Sequence, residues 1–154
     1  MAQKRSAFDW LLEVLSFLLL LLIVGVVLIH WPGLPARIPT HFSASGQPDR
    51  WGDKSGVFAL PAIAAGLYLL LTIIPRYPQF INVPFEIDRA APPVRSLLLT
   101  MTIALKLEIL VVFFYIEHAV IRAHGLGPAF LPASLLAIFS TLAFFLLRLR
   151  KHRM

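Results

Sequence analysis

The chain has 154 residues, 58% hydrophobic and 14% charged, with a mean hydropathy of +0.80. A soluble domain carries roughly 45–50% apolar residues, so an ordinary water-soluble globule is excluded and the chain falls in the membrane class. The absence of cysteine excludes a disulfide framework, thiolate zinc sites, covalent haem attachment and a cysteine nucleophile. The formal charge of +6 is then a question of where the basic residues fall relative to a bilayer, not a nucleic-acid signal.

Three stretches lack Asp, Glu, Lys and Arg altogether, 14–36, 55–75 and 123–147, and each is long enough for a span of about 20 residues. A fourth, 96–118, is as apolar apart from Lys106, Glu108 and Glu117. The expected helices are about 9–30, 57–75, 95–118 and 130–148. Trp10 and Trp31 bracket the first; 21 steps at 1.5 Å separate them by ~31 Å, the spacing of two interfacial aromatic belts. The leucine-rich run after Lys4 and Arg5 exceeds the ~7–15 residues of a secretory signal core, so helix one is expected to remain as an anchor. Ala59, Ala62, Ala65 and Gly66 are the expected close-packing surface of helix two.

With both termini cytoplasmic, the inner segments hold Lys4, Arg5, Arg76, Arg89, Arg95, Arg148, Arg150, Lys151 and Arg153. The outer ones hold only Arg37, Arg50, Lys54 and Arg122. The Lys/Arg bias of short loops sets orientation, so the expectation is N-in and C-in, with the basic tail against anionic lipid and no nucleic-acid partner. The expected architecture is an all-α integral membrane protein: a left-handed four-transmembrane-helix bundle with an ordered Pro/Gly-rich extracytoplasmic loop. It divides into a two-helix unit, 1–76, which carries that loop (32–56), and a second two-helix unit, 77–154.

The inner connection, 76–94, mixes aromatic residues with four prolines and is expected to pack under the bundle. The outer connection, 119–129, is a Gly/Pro-marked turn. The first outer loop, Trp31–Gly56, is more informative. It has four prolines and four glycines in 26 residues, yet also Trp31, Ile38, Phe42 and Trp51, apolar anchors that disordered linkers lack. Turn signals at Ser45-Gly46, Gln47-Pro48-Asp49 and Trp51-Gly52 predict a hairpin-like excursion bringing His41, Asp49, Arg50, Asp53 and Lys54 close together.

Within it, Pro39, His41, Phe42, Gly46, Asp49, Trp51 and Lys54 stand at the spacing Pro-x-His-aromatic, a polar stretch to Gly, x-x-Asp, a further aromatic and Lys. This pattern resembles the signature of the bacterial membrane family called domain of unknown function 1648, which includes relatives of the Sdp immunity protein. With the flanking helices the resemblance covers roughly residues 10 to 76; Ser43 departs from the Asn often found there. It implies a multi-pass bacterial inner-membrane protein whose outer loop is a recognised module with no assigned chemistry.

The residue chemistry leaves several roles open. His41, Phe42, Gly46, Asp49, Trp51 and Lys54 are the ligand-binding candidates. His41 could instead be a pH-sensing group or a metal ligand with Asp49 and His118, and Asp53, His30, Glu117 and His124 lie toward the same side, but no ligand spacing such as His-Glu-x-x-His is present. The alternative is scaffolding, with His41 and Asp49 bonded to the loop and Lys54 paired to a carboxylate. Lys106 and Glu108 form a second group near the midplane, where ionisable residues are functional candidates by default. Two residues apart on a helix, they face ~200° apart, so their partners must lie on other helices or protomers. Glu13 is the nearest carboxylate to Lys106, and Ser16, Tyr68, Thr72, Ser140 and Thr141 can offer hydrogen bonds.

No phosphate-cradling loop or nucleophile motif appears. The expected function is therefore a non-enzymatic membrane module recognising an extracytoplasmic peptide, lipid or protein partner, without a cofactor. A structural or assembly subunit of a larger homo- or hetero-oligomeric complex is the alternative, and a metal-dependent membrane enzyme a distant third.

Overall fold

The computed structural model describes residues 5–154; Lys4, counted in the charge bias, lies outside them. Four helices are long and apolar enough to cross a membrane: α1 (Ala7–His30), α2 (Ala59–Ile73), α3 (Pro92–Arg122) and α4 (Phe130–Arg150). The chain is therefore a multi-pass membrane protein. Between α1 and α2 the chain forms two strands, β1 (Arg37–Phe42) and β2 (Pro48–Asp53).

Local chemistry fixes the helix ends. Ser6 and Asp9 form a reciprocal capping box, Asp9 N–H donating to Ser6 Oγ at 3.1 Å and Ser6 N–H to Asp9 Oδ2 at 2.8 Å. A 3-10 turn, Trp31–Gly33, closes α1, and another, Lys54–Phe58, leads into α2. α3 begins at Pro92, three residues before the sequence expectation, because Pro92 and Pro93 fall in the first turn, where a missing N–H costs nothing. It ends where Ala123 takes a left-handed φ of 53°.

α3 is central, and α1, α2 and α4 each pack against it. The buried residues of α1, namely Asp9, Glu13, Ser16, Ile23 and Val27, are spaced by four, three, seven and four, positions that fall on a coiled-coil seam. This seam is polar in the half near the termini and apolar in the half near the hairpin. α3 answers with Leu99, Ile103, Lys106, Leu110 and Glu117, again at seam positions.

On α2 the packed face differs from the small-residue surface expected. Pro61 and Ala64 are buried, whereas Ala59, Ala62 and Gly66 are exposed and nothing lies within 4 Å of a Cβ placed on Gly66. The helix is rotated so that Tyr68 and Thr72, below Ala64 on the same face, meet polar partners on α1 and α3. In an apolar solvent that polar requirement outweighs the modest gain from small-residue contact.

The 77–91 connection packs under α3 and α4. Ile87 is buried with Val94, Leu98, Met101, Phe145 and Leu149, flanked by Ile81, Val83 and Phe85. Met154 N–H donates to Glu86 O at 3.3 Å, and Ile87 pairs with Arg153. Both ends of the described chain thus lie at the 77–91 end, opposite the hairpin.

Candidate functional site

β1 and β2 pair antiparallel, Arg37 with Asp53, Ile38 with Gly52 and Pro39 with Trp51. The register then slips, His41 pairing with Arg50 and Phe42 with Pro48, so that Thr40 and Asp49 have no partner in the ladder. Ile38, 1% exposed, fixes the hairpin to the bundle, buried with Val27, Leu34 and Val57.

The turn is closed by Gly46 N–H donating to Ser43 O and Ser43 N–H to Gln47 O, both at 2.8 Å. Gly46 has φ 77°, and a Cβ there would collide with the backbone of Gly127 in the α3–α4 turn. Its carbonyl accepts from Leu126 N–H at 2.7 Å. Only glycine satisfies both the left-handed turn and this approach, so Gly46 joins the hairpin tip to the α3–α4 connection.

Beside this junction His41 Nδ1–H donates to Asp49 Oδ1 at 2.6 Å, with side chains 58% and 45% exposed. The imidazole is thus oriented by a carboxylate and its Nε2 is left for another partner. A cleft of about 460 Å³ opens there, with Thr40, His41, Ser43 and Gly46 on the hairpin side and Ile116, Leu126, Phe130 and Leu131 on the helical side; Phe42 and Ala44 complete the lining. One wall offers hydroxyls, an imidazole and backbone polar groups, the other only apolar surface.

The remaining loop candidates do not join this pair. Lys54, the residue expected to find a carboxylate, instead sets Nζ 4.5 Å from the centroid of Trp31, whose ring packs on Phe58 at 4.8 Å. This contact is a cation–π interaction. Asp53 accepts from Ser55 N–H at 2.8 Å, and hydrogen bonds from Ser55 hold its carboxyl below the usual carboxylate range. Trp51 is exposed, and its carbonyl accepts from Arg37 Nη2 at 3.0 Å. Among the described residues no three His, Asp or Glu side chains converge on one point. His118 packs its ring on His124, and His30 Nδ1–H donates to Val26 O at 2.8 Å.

Inside the membrane, Lys106 is 1% exposed and donates to Glu13 Oε1 at 2.6 Å and Thr72 Oγ1 at 2.9 Å. Tyr68 Oη–H donates to the same Glu13 oxygen at 3.1 Å, and Arg5 Nη1 lies 3.5 Å from Glu13 Oε2. The cluster ties α1, α2 and α3 together. Glu108 faces the other way, accepting from Thr141 Oγ1 of α4 at 2.5 Å. Asp9, 1% exposed, accepts from Thr100 Oγ1 at 2.6 Å, a second α1–α3 bond that sequence reasoning missed. The four-three spacing of Asp9, Glu13 and Ser16 was the signal that could have found it. Glu117, considered a metal candidate, is 1% exposed on the α3 seam, with no hydrogen-bond partner for Oε1 among the described residues.

The stretch from mid-α1 through the hairpin to early α2 is also where comparison with known proteins gives a result. Residues 18–65 match the family model described as Domain of unknown function (DUF1648). The segment is thus similar to that family over less than a third of the chain. It holds Ile38, His41, Gly46, Asp49 and Lys54, while the helical wall of the cleft and Lys106 lie beyond it. A protein of Archaeoglobus fulgidus described as uncharacterized is 45% identical over 65 residues, covering 37% of this chain and 36% of its own length. The match thus spans about a third of that relative. No solved structure matches the chain.

Proposed function

We propose that the protein is a non-enzymatic recognition module whose ligand, a peptide, lipid or protein partner, engages the hairpin at the His41–Asp49 pair. The observation that carries this reading is the exposed imidazole, oriented by Asp49 at 2.6 Å, at the mouth of the cleft between the hairpin and the α3–α4 turn. An exposed pair contributes about 0–1 kcal/mol to stability, so a purely structural role accounts poorly for it. Phe42 and Gly46 shape the same cleft, whereas Trp51 and Lys54 lie outside its lining.

In this reading the hairpin faces outward and both termini are cytoplasmic. Arg5, Arg76, Arg89, Arg95, Arg148, Arg150, Lys151 and Arg153 lie at one end of the bundle and Arg37, Arg50, Lys54 and Arg122 at the other, the asymmetry expected of short cytoplasmic segments. Placement in a bacterial inner membrane, and a role akin to the Sdp immunity protein, rest on the resemblance of the loop. The alternative of an assembly subunit would use the intramembrane charges as an interface, but Lys106 finds its partners within the chain.

The test pairs function with folding. His41→Ala and Asp49→Ala should abolish the protein's protective or sensing phenotype while changing stability in detergent by less than about 1 kcal/mol. Equal losses of phenotype and stability would refute the recognition role. A reporter that is active only when exported should be active when fused after residue 45 and inactive when fused after residue 85; activity after residue 85, or none after residue 45, would overturn the orientation.

A further inference from the structure

α3 and α4 meet closely at the 77–91 end, where Phe145 and Leu149 are buried with Leu98 and Met101. Toward the hairpin end, α4 presents Ala133, Ser134 and Ala137 to α3, side chains too short to fill the space against Val111, Val112 and Tyr115. The result is a groove of about 410 Å³ whose accessible surface is almost wholly apolar. It runs from Leu107 to Tyr115 along α3, a rise of ~12 Å, at membrane depth. Phe130, stacked on Tyr115 at 4.9 Å, lines this groove and also the cleft beside His41.

We infer that the cleft and the groove together seat one membrane lipid, its headgroup against the hairpin and one acyl chain between α3 and α4. The inference rests on the recognition reading above and names the class of ligand. Three observations bear on the occupant. The groove lies within two helices that cross the bilayer, so an acyl chain reaches it without leaving the membrane, whereas a peptide would have to place backbone amides in hydrocarbon. Polar atoms are concentrated at one end, in Thr40, His41 and Ser43, and apolar surface fills the other, the distribution of a single amphiphile lying along the membrane normal. No Lys or Arg lines the cleft, so the headgroup is held by hydrogen bonds and not by a cationic cluster. A headgroup hydroxyl donates to His41 Nε2, the acceptor nitrogen once Nδ1–H donates to Asp49, and the Ser43 hydroxyl, accepting from Ser45, donates to a headgroup oxygen. At the deep end of the groove Glu108 accepts from Thr141 through Oε1, and its Oε2 is buried without a hydrogen-bond partner among the described residues, so a chain meets no exposed carboxylate oxygen there.

The experiment uses the full chain in nanodiscs containing phosphatidylglycerol with a mid-chain diazirine. After irradiation, labelled residues are mapped by mass spectrometry. Labelling is expected to concentrate at Val111, Val112, Ala133 and Ala137, at least fivefold above exposed apolar positions on other faces such as Leu18, Leu69 and Phe139. Ala137→Trp, which fills the groove, should remove that excess, and His41→Ala should reduce it severalfold by loosening the headgroup end. Uniform labelling around the bundle would overturn the inference, as would an excess that survives Ala137→Trp. An excess that His41→Ala leaves unchanged would also overturn it, by separating the groove from the hairpin. If lipid labelling is uniform while His41→Ala still abolishes the phenotype in cells, the lipid assignment fails and the recognition role stands.

Discussion

Lys106→Met is the most demanding test of how this bundle is held together. In a bilayer the apolar faces of α1, α2 and α3 gain little from leaving lipid for protein, so helix association depends on packing and interhelical hydrogen bonds, the latter averaging only ~0.6 kcal/mol each. If Lys106 contributed merely its hydrogen bonds to Glu13 and Thr72, its loss would cost about 1 kcal/mol. The geometry argues for more. At 1% exposure and 2.6 Å from Glu13, Lys106 is one half of a buried pair, and removing one half costs ~3–5 kcal/mol because the other is stranded. Arg5 at 3.5 Å and the Tyr68 hydroxyl remain on Glu13, which places the expectation near the lower bound, about 3 kcal/mol. Reversible unfolding in bicelles should report that loss for Lys106→Met. It should also show a double mutant, Glu13→Gln with Lys106→Met, less destabilised than the two single changes summed, because no charge is left without its partner. A coupling below about 0.6 kcal/mol would show that the cluster is ordinary interhelical hydrogen bonding and refute the ion-pair argument.

Ile38→Ala should lower stability by ~2–5 kcal/mol by removing the side chain that anchors the hairpin on Val27 and Val57, with faster amide exchange in both strands than in α3. Gly46→Ala should separate the hairpin tip from the α3–α4 turn, since a left-handed φ costs a non-glycine residue ~1–2 kcal/mol and the Cβ would strike Gly127; unchanged proteolysis at 43–47 and 123–129 would count against this. Thr100→Val should cost about 1 kcal/mol or more, leaving Asp9 with only its Ser6 contacts. The Asp53 carboxyl is depressed below its ordinary 3.8 by Ser55. Its support for the turn into α2 is therefore complete above that pH and fades as pH falls through the folded-state value. Hydrogen exchange at 54–58 should accelerate on acidification in the native protein and be indifferent to that change in Asp53→Asn.

Composition and spacing alone made the chain a four-span membrane protein, because a bilayer demands about 20 apolar residues per crossing and few sequences supply them by chance. They also marked the hairpin loop, through Gly, Pro and aromatic residues at turn spacing, and required Lys106 and Glu108 to seek different helices, since ~200° separates them. The tertiary structure decided the partners. Glu13, six residues into α1, and Lys106, fourteen into α3, meet because the two helices run parallel from the 77–91 end, Asp9 already level with Thr100, and their side chains extend toward a common level. The face α2 presents was likewise set by where Tyr68 and Thr72 could be satisfied, a condition its alanines do not express. In the loop, Lys54 settled over Trp31 and only Asp49 reached His41, because a slipped strand register is a property of the pairing between two strands and belongs to neither. The cleft and the groove are further removed still from the linear chain: each is a space between elements, about 70–90 residues apart for the cleft and about 15–30 for the groove, and no single segment encodes an absence of atoms.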